Sequence, residues 1–100
     1  MQIIGTTVME DCLKGTLTLL YQFDTPWTKT DILKLASLGQ LDYFVDFPRP
    51  FFRFKSSEDV QMKGVEGDFT CRIIYPAGER DRIHAEFEGK LQKLLNPISH

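Results

Sequence analysis

Positive charge is the first thing this 100-residue chain is short of. Twelve Lys and Arg stand against fourteen Asp and Glu, for a net charge of −2 and a sequence pI near 5.6. No segment makes up the deficit. Residues 1–40 and 65–100 each carry one acid more than their bases, and residues 41–64 carry four of each sign. Sequence-independent affinity for nucleic acid comes from concentrated Lys and Arg at phosphates, so these totals disfavour that partner. Cysteine is scarce as well. Cys12 and Cys71 permit one disulfide at most, and no CxxC pair is present. With only His84 and His100 to join them, a zinc site would have to collect Cys12, Cys71 and His84, with Glu10 or Asp11, from distant parts of the chain. Long apolar runs are missing too, and none approaches the ~20 residues of a membrane helix. The opening MQIIGTTV has neither the basic start nor the apolar run of a secretory signal. These absences lead to the expectation of a cytoplasmic protein with reduced thiols, without membrane, metal or cofactor.

Catalytic and phosphate-cradling motifs are equally sparse. No GxGxxG or GxxxxGK pattern occurs, and the glycines of KGVEG fit a hairpin turn. Ser37, Ser56, Ser57 and Ser99 have no G-x-S-x-G context. Asp42 and Asp46 would share a face only if residues 40–46 were helical, which Pro48 and Pro50 oppose. Cys12 follows Glu10 and Asp11, which disfavour a thiolate. Arg80 and Arg82 flank the start of a helix, but Glu79 and Asp81 already occupy its positive end. No catalytic residue is assigned, and an enzyme is not expected.

What is present is material for a core. Hydrophobic residues make up 42% of the chain, aromatics 12% and charged residues 26%, which suits one domain spanning residues 1–100. A domain of this size buries a modest share of its surface, which leaves room for a stabilising homodimer.

The alternation of the apolar residues gives the elements. QIIGTTVM (2–9) and TLTLLYQF (16–23) read as a β-hairpin closed at Lys14-Gly15, with Leu17, Leu19, Tyr21 and Phe23 on the buried face. Thr28 with Asp31 signals a capped helix over 29–38, ended by a left-handed Gly39. Residues 40–50, QLDYFVDFPRP, read as a packed connection because Pro48 and Pro50 forbid a central strand. Strands follow at 51–56, at 60–65 as a short one, and at 69–75, where Phe69, Cys71, Ile73 and Tyr75 share the core face. A second helix at 79–95 carries the stripe Ile83, Phe87, Leu91, Leu94 and Leu95 and ends at Asn96-Pro97. Gly89 sits on the outer side of that helix. Gly15 and Gly67 each precede a strand, a breaker and a helix, which makes a faint ββα pseudo-repeat.

The expected fold is therefore α+β: a mainly antiparallel sheet of four or five strands with two helices on one face, in ββαββα-type order. A ferredoxin-like plait with its last strand moved to the front has this order.

One stretch concentrates both aromatics and cations. FPRPFFRFK (47–55) holds Phe47, Phe51, Phe52 and Phe54 among Arg49, Arg53 and Lys55. As a strand from 51, it sends Phe52 and Phe54 into the core and turns Phe51, Arg53 and Lys55 outward. The RNA-binding signature that pairs exposed aromatics on central strands is absent. Helices on one side leave the other face of the sheet bare, with apolar residues such as Leu20 and Ile74 on it, and a bare apolar face implies a partner. The functional expectation is an interaction or small-ligand-binding module, a homodimer or a complex with a protein or small molecule. Its contact surface would be Trp27, Phe51, Arg53 and Lys55. A nucleic-acid-binding surface built from Phe51, Arg53, Lys55 and Lys63, and a metal or thiol protein built on Cys12, Cys71 and His84, are the alternatives.

Overall fold

The computed structural model describes residues 1–12 and 14–96; Pro97, Ser99 and His100, named above, lie outside the described residues. The expected hairpin forms from β1 (Ile3–Asp11) and β2 (Leu17–Phe23), paired antiparallel. Gly15 turns the chain with φ +94°, and its N–H donates to the Cys12 carbonyl at 2.8 Å. A positive φ is the conformation glycine adopts without steric cost. The β1 register shifts between Ile3 and Gly5 and again between Val8 and Glu10. Such bulges interrupt the outer row of backbone groups on an edge strand.

Helix α1 (Lys29–Lys34) is capped as its sequence requires. The Thr28 hydroxyl accepts from the Asp31 backbone N–H at 3.2 Å and donates to the Asp31 carboxylate at 2.8 Å. A 3-10 turn at Leu35–Ser37 finishes it. Gly39 does not end this helix in a left-handed conformation; it opens the next strand. Glycine is needed there for a different reason. A Cβ at 39 would stand 2.5 Å from the Lys55 carbonyl oxygen and 2.8 Å from Phe54 Cζ.

The sheet has six strands, not four or five. The strand missing from the sequence reading is β3 (Gly39–Phe44), which pairs with β4 (Phe51–Ser56). Leu41 and Tyr43 pack against the core, while Gln40 and Asp42, which alternate with them, are exposed. Pro48 and Pro50 lie beyond its end, in the β3–β4 connection, and cost the ladder no hydrogen bond. β5 (Gln61–Val65) and β6 (Thr70–Tyr75) continue the meander. The strand order is β1-β2-β6-β5-β4-β3, and every neighbouring pair is antiparallel. A plait needs a parallel pair joined by a helical crossover, and this sheet has none. β2 and β6 run antiparallel at the junction of the hairpin and the meander, and each leads into a helix. β1-β2-α1 and β5-β6-α2 thus repeat one another about that junction, with α2 at Arg80–Leu95.

Both helices pack on the same face. Ile32 from the first, Leu35 from the 3-10 turn after it, and Ile83, Phe87, Leu91 and Leu95 from the second join Leu19, Tyr21, Phe23, Phe52, Phe54, Met62, Cys71, Ile73 and Tyr75 in one buried cluster. Leu94 is only partly buried, and Phe69 is about half exposed, just before β6 begins. No residue of the opposite sheet face is buried among the described residues.

Candidate functional site

The strand registers decide what the uncovered face presents. On that face Leu20 of β2 lies opposite Arg72 of β6, Arg72 opposite Lys63 of β5, Lys63 opposite Arg53 of β4, and Arg53 opposite Asp42 of β3. Three cations therefore stand side by side across three adjacent strands. Like charges directly opposed across a ladder repel, at about 0.2–1 kcal/mol for each pair. Among the described residues none of the three makes an ion pair. All three are exposed. The Arg53 guanidinium leans over the Phe44 ring at 5.1 Å in a cation–π contact.

One row along the strands the chemistry changes. Val65 lies opposite Phe51, and Phe51 opposite Phe44. The Phe44 and Phe51 rings stack with centroids 4.7 Å apart, and Phe47 tilts onto Phe51 at 5.1 Å. Between the two rows runs a groove of about 660 Å³, whose walls include Leu20, Phe51, Val65 and the three cations. Thr70 and Asp68 also reach it. Of the nearby carboxylates, Asp68 lines the groove itself. Asp42 closes the cationic row on β3, and Asp68 is paired with Arg49. Glu66 accepts from the Tyr43 hydroxyl, a bond that pushes that phenol up to about 12.

The residues singled out in the sequence divide between the two faces. Phe51, Arg53, Lys55 and Lys63 all lie on the uncovered face, as the alternation of 51–56 implies. Lys55 stands one row from the cations and pairs with Asp59 at 3.5 Å. Trp27 does not join them. It is buried in the core, edge-on to Phe23 and Phe52, with its indole N–H donating to the Thr70 carbonyl at 3.2 Å. A side chain in that position offers no contact surface. Arg72, absent from the expected surface, is the addition. Its outward direction was readable from FTCRIIY, but its neighbours were not, because they depend on β5 lying between β4 and β6. Nor do Leu20 and Ile74 form an apolar patch on the bare face: each is half-buried, and the apolar residues gather instead at Val65, Phe51 and Phe44.

The other candidates sit in structural roles. Cys71 is buried against the core, and burial pushes its thiol well above the usual range. Cys12 lies in the β1–β2 connection, its N–H bonded to the Thr16 carbonyl at 3.0 Å. Among the described residues no three His, Cys, Asp or Glu side chains gather as a metal site would require. His84 meets Glu88 at 2.9 Å; Glu88 in turn accepts from the Tyr21 hydroxyl at 2.9 Å, and the Tyr21 and Tyr75 hydroxyls are 2.8 Å apart. The chain satisfies two buried phenols where α2 crosses the sheet. Asp42 lies on β3 and Asp46 in the loop beyond it, so the two share no helical face. At the start of α2, Arg80 bonds Asp11 and the Gly15 carbonyl, and Arg82 bonds Glu58, Glu79 and Glu86.

Comparison with protein-family models, with curated proteins and with solved structures finds no match to this chain.

Proposed function

We propose that this protein is a binding module whose uncovered sheet face receives an anionic ligand. One observation carries the reading: Arg53, Lys63 and Arg72 stand in register on adjacent strands, and among the described residues none of them is in an ion pair, although Asp42 ends the row opposite Arg53. Such an arrangement costs folding free energy, and an anion seated across the row relieves the repulsion. Strand propensity does not account for it, because threonine would serve a solvent-facing strand position better. A second copy of the chain is a poor occupant of this face, since stacking two copies would set cations against cations.

Titration of the whole chain with inorganic triphosphate at low ionic strength tests the proposal. Saturable one-to-one binding is expected, weakening as salt screens the charges. Lys63→Gln combined with Arg72→Gln should weaken it tenfold or more. Equal affinity in the double variant, or no binding by the unaltered chain, would refute it.

A further inference from the structure

The face carries more information than its charge. Resting on the anion-binding reading above, we infer that the ligand is a compact amphipathic polyanion: two or three phosphate-like groups joined to an apolar or aromatic body, the chemistry of a nucleoside polyphosphate. The cations occupy three neighbouring strands only, a width of roughly 10 Å at the usual strand spacing. Asp42 stops the row on one side, and the uncharged pair Leu20 and Thr7 continues it on the other. A long polymer of phosphates would run off the cations within a few ångströms in either direction. The ligand's charge is therefore confined to one short segment.

The groove beside the row supplies the apolar half of the site. Leu20, Val65 and Phe51 wall it, and its volume of about 660 Å³ suits a small molecule. Single-stranded nucleic acids bind by stacking successive bases on successive free rings along a basic track. Here Phe44 and Phe51 are stacked on each other, Phe47 tilts onto Phe51, and the Arg53 guanidinium lies over Phe44; of the groove's aromatic residues Phe52 is fully buried, so the groove offers the accessible part of Phe51 rather than a series of free rings. The accessible part of one ring and two aliphatic side chains accommodate one flat body, not a series. Thr70, whose hydroxyl can both donate and accept, stands at the edge where a polar rim of that body would lie.

The test compares three probes on the full chain, without divalent cations: adenosine triphosphate, inorganic triphosphate and a 20-nucleotide oligothymidylate. Adenosine triphosphate is expected to bind one-to-one and at least tenfold more tightly than inorganic triphosphate. Backbone amide shifts in the NMR spectrum should cluster at residues 51–53, 63–65 and 70–72. Phe51→Ala should reduce the advantage of the nucleotide to less than threefold. Val65→Thr keeps a β-branched side chain and the strand, and should also reduce it, which guards against a Phe51 variant that fails to fold. Equal affinity for the nucleotide and inorganic triphosphate would overturn the amphipathic ligand while leaving the anion site standing. So would an advantage that neither variant lowers, or tighter binding to the oligonucleotide than to the nucleotide. Binding of none of the three would remove the anion site itself.

Discussion

Gly64 shows how much one missing methyl group does in this fold. Its position on β5 faces the core, where the ring of Phe52 from the neighbouring strand covers it. A Cβ there would lie 2.5 Å from Phe52 Cζ and 3.5 Å from Cys71 Cβ. Phe52 is fully buried and cannot swing out of the way. Gly64→Ala is therefore expected to cost about 1–3 kcal/mol, read as a lower urea midpoint at unchanged slope. Gly89 is the control. Nothing lies within 4 Å of a Cβ built there, and it sits in the interior of α2. Gly89→Ala should raise stability by about 1 kcal/mol, and a loss would mean a contact at that site absent from the structure. The sequence placed Gly89 on the outer side of the helix, but it gave no sign of the ring over Gly64, because that contact depends on strand register. Tyr21 is the other residue whose role is tertiary. Its hydroxyl joins Tyr75 to Glu88 at the junction of helix and sheet. Tyr21→Phe leaves a fully buried phenol without its protein partner and should cost about 1–3 kcal/mol by denaturant titration. A change within a few tenths of a kcal/mol would mean water replaces the lost bond.

At the scale of elements, β5 sets binding against stability. Lys63 lies between Arg53 and Arg72 and adds two like-charge contacts. Lys63→Thr removes both and puts a good strand former on an exposed position. The expected outcome is a gain of about 0.5–1 kcal/mol in stability with a loss of affinity for inorganic triphosphate, measured on one sample. A loss of stability would mean the lysine has a compensating contact, and the argument for an unrelieved cationic row would fall. β3 shows where local reasoning stops. Leu41 and Tyr43 alternate with Gln40 and Asp42 in the sequence, but by local rules the prolines that follow argue against a central strand anywhere in the stretch. They lie in the loop after Phe44, whereas β3 is paired along its length with β4. β1 was legible as a strand, but its bulges were not, since a bulge is defined only against a partner.

For the molecule as a whole, the pH dependence of stability follows from the groups buried under α2. Burial raises the Tyr21 and Tyr75 phenols and the Cys71 thiol above their ordinary values, so the folded state holds protons that the unfolded chain releases. Groups raised in this way stabilise fully below their unfolded values, 9.0 for the thiol and 10.0 for the phenols, and that contribution is lost as pH climbs past them. The melting temperature is expected to be insensitive to these groups up to about pH 8.5 and to fall steadily from pH 9 to pH 11. A flat profile across that window would contradict their burial.

The sequence by itself determined both helices, every strand but β3, and the buried faces of β2, β4, β6 and the helices. Period-two and helical spacing of apolar residues is a local property, and only one pattern of burial satisfies each stretch. It also determined that Phe51, Arg53 and Lys55 point away from the core, because side chains alternate along a strand. The tertiary structure decided the number of strands, their order and the absence of any parallel pair. Those depend on which hydrogen-bonding edges meet, and each edge is chemically much like another. It also decided the site. Net charge and charge along the chain showed no basic concentration, yet three separate strands bring Arg53, Lys63 and Arg72 into one row. Register, a relation between strands, placed them there, while the β2–α1 connection folds Trp27 against Phe23 and Phe52 on the other side of the same sheet.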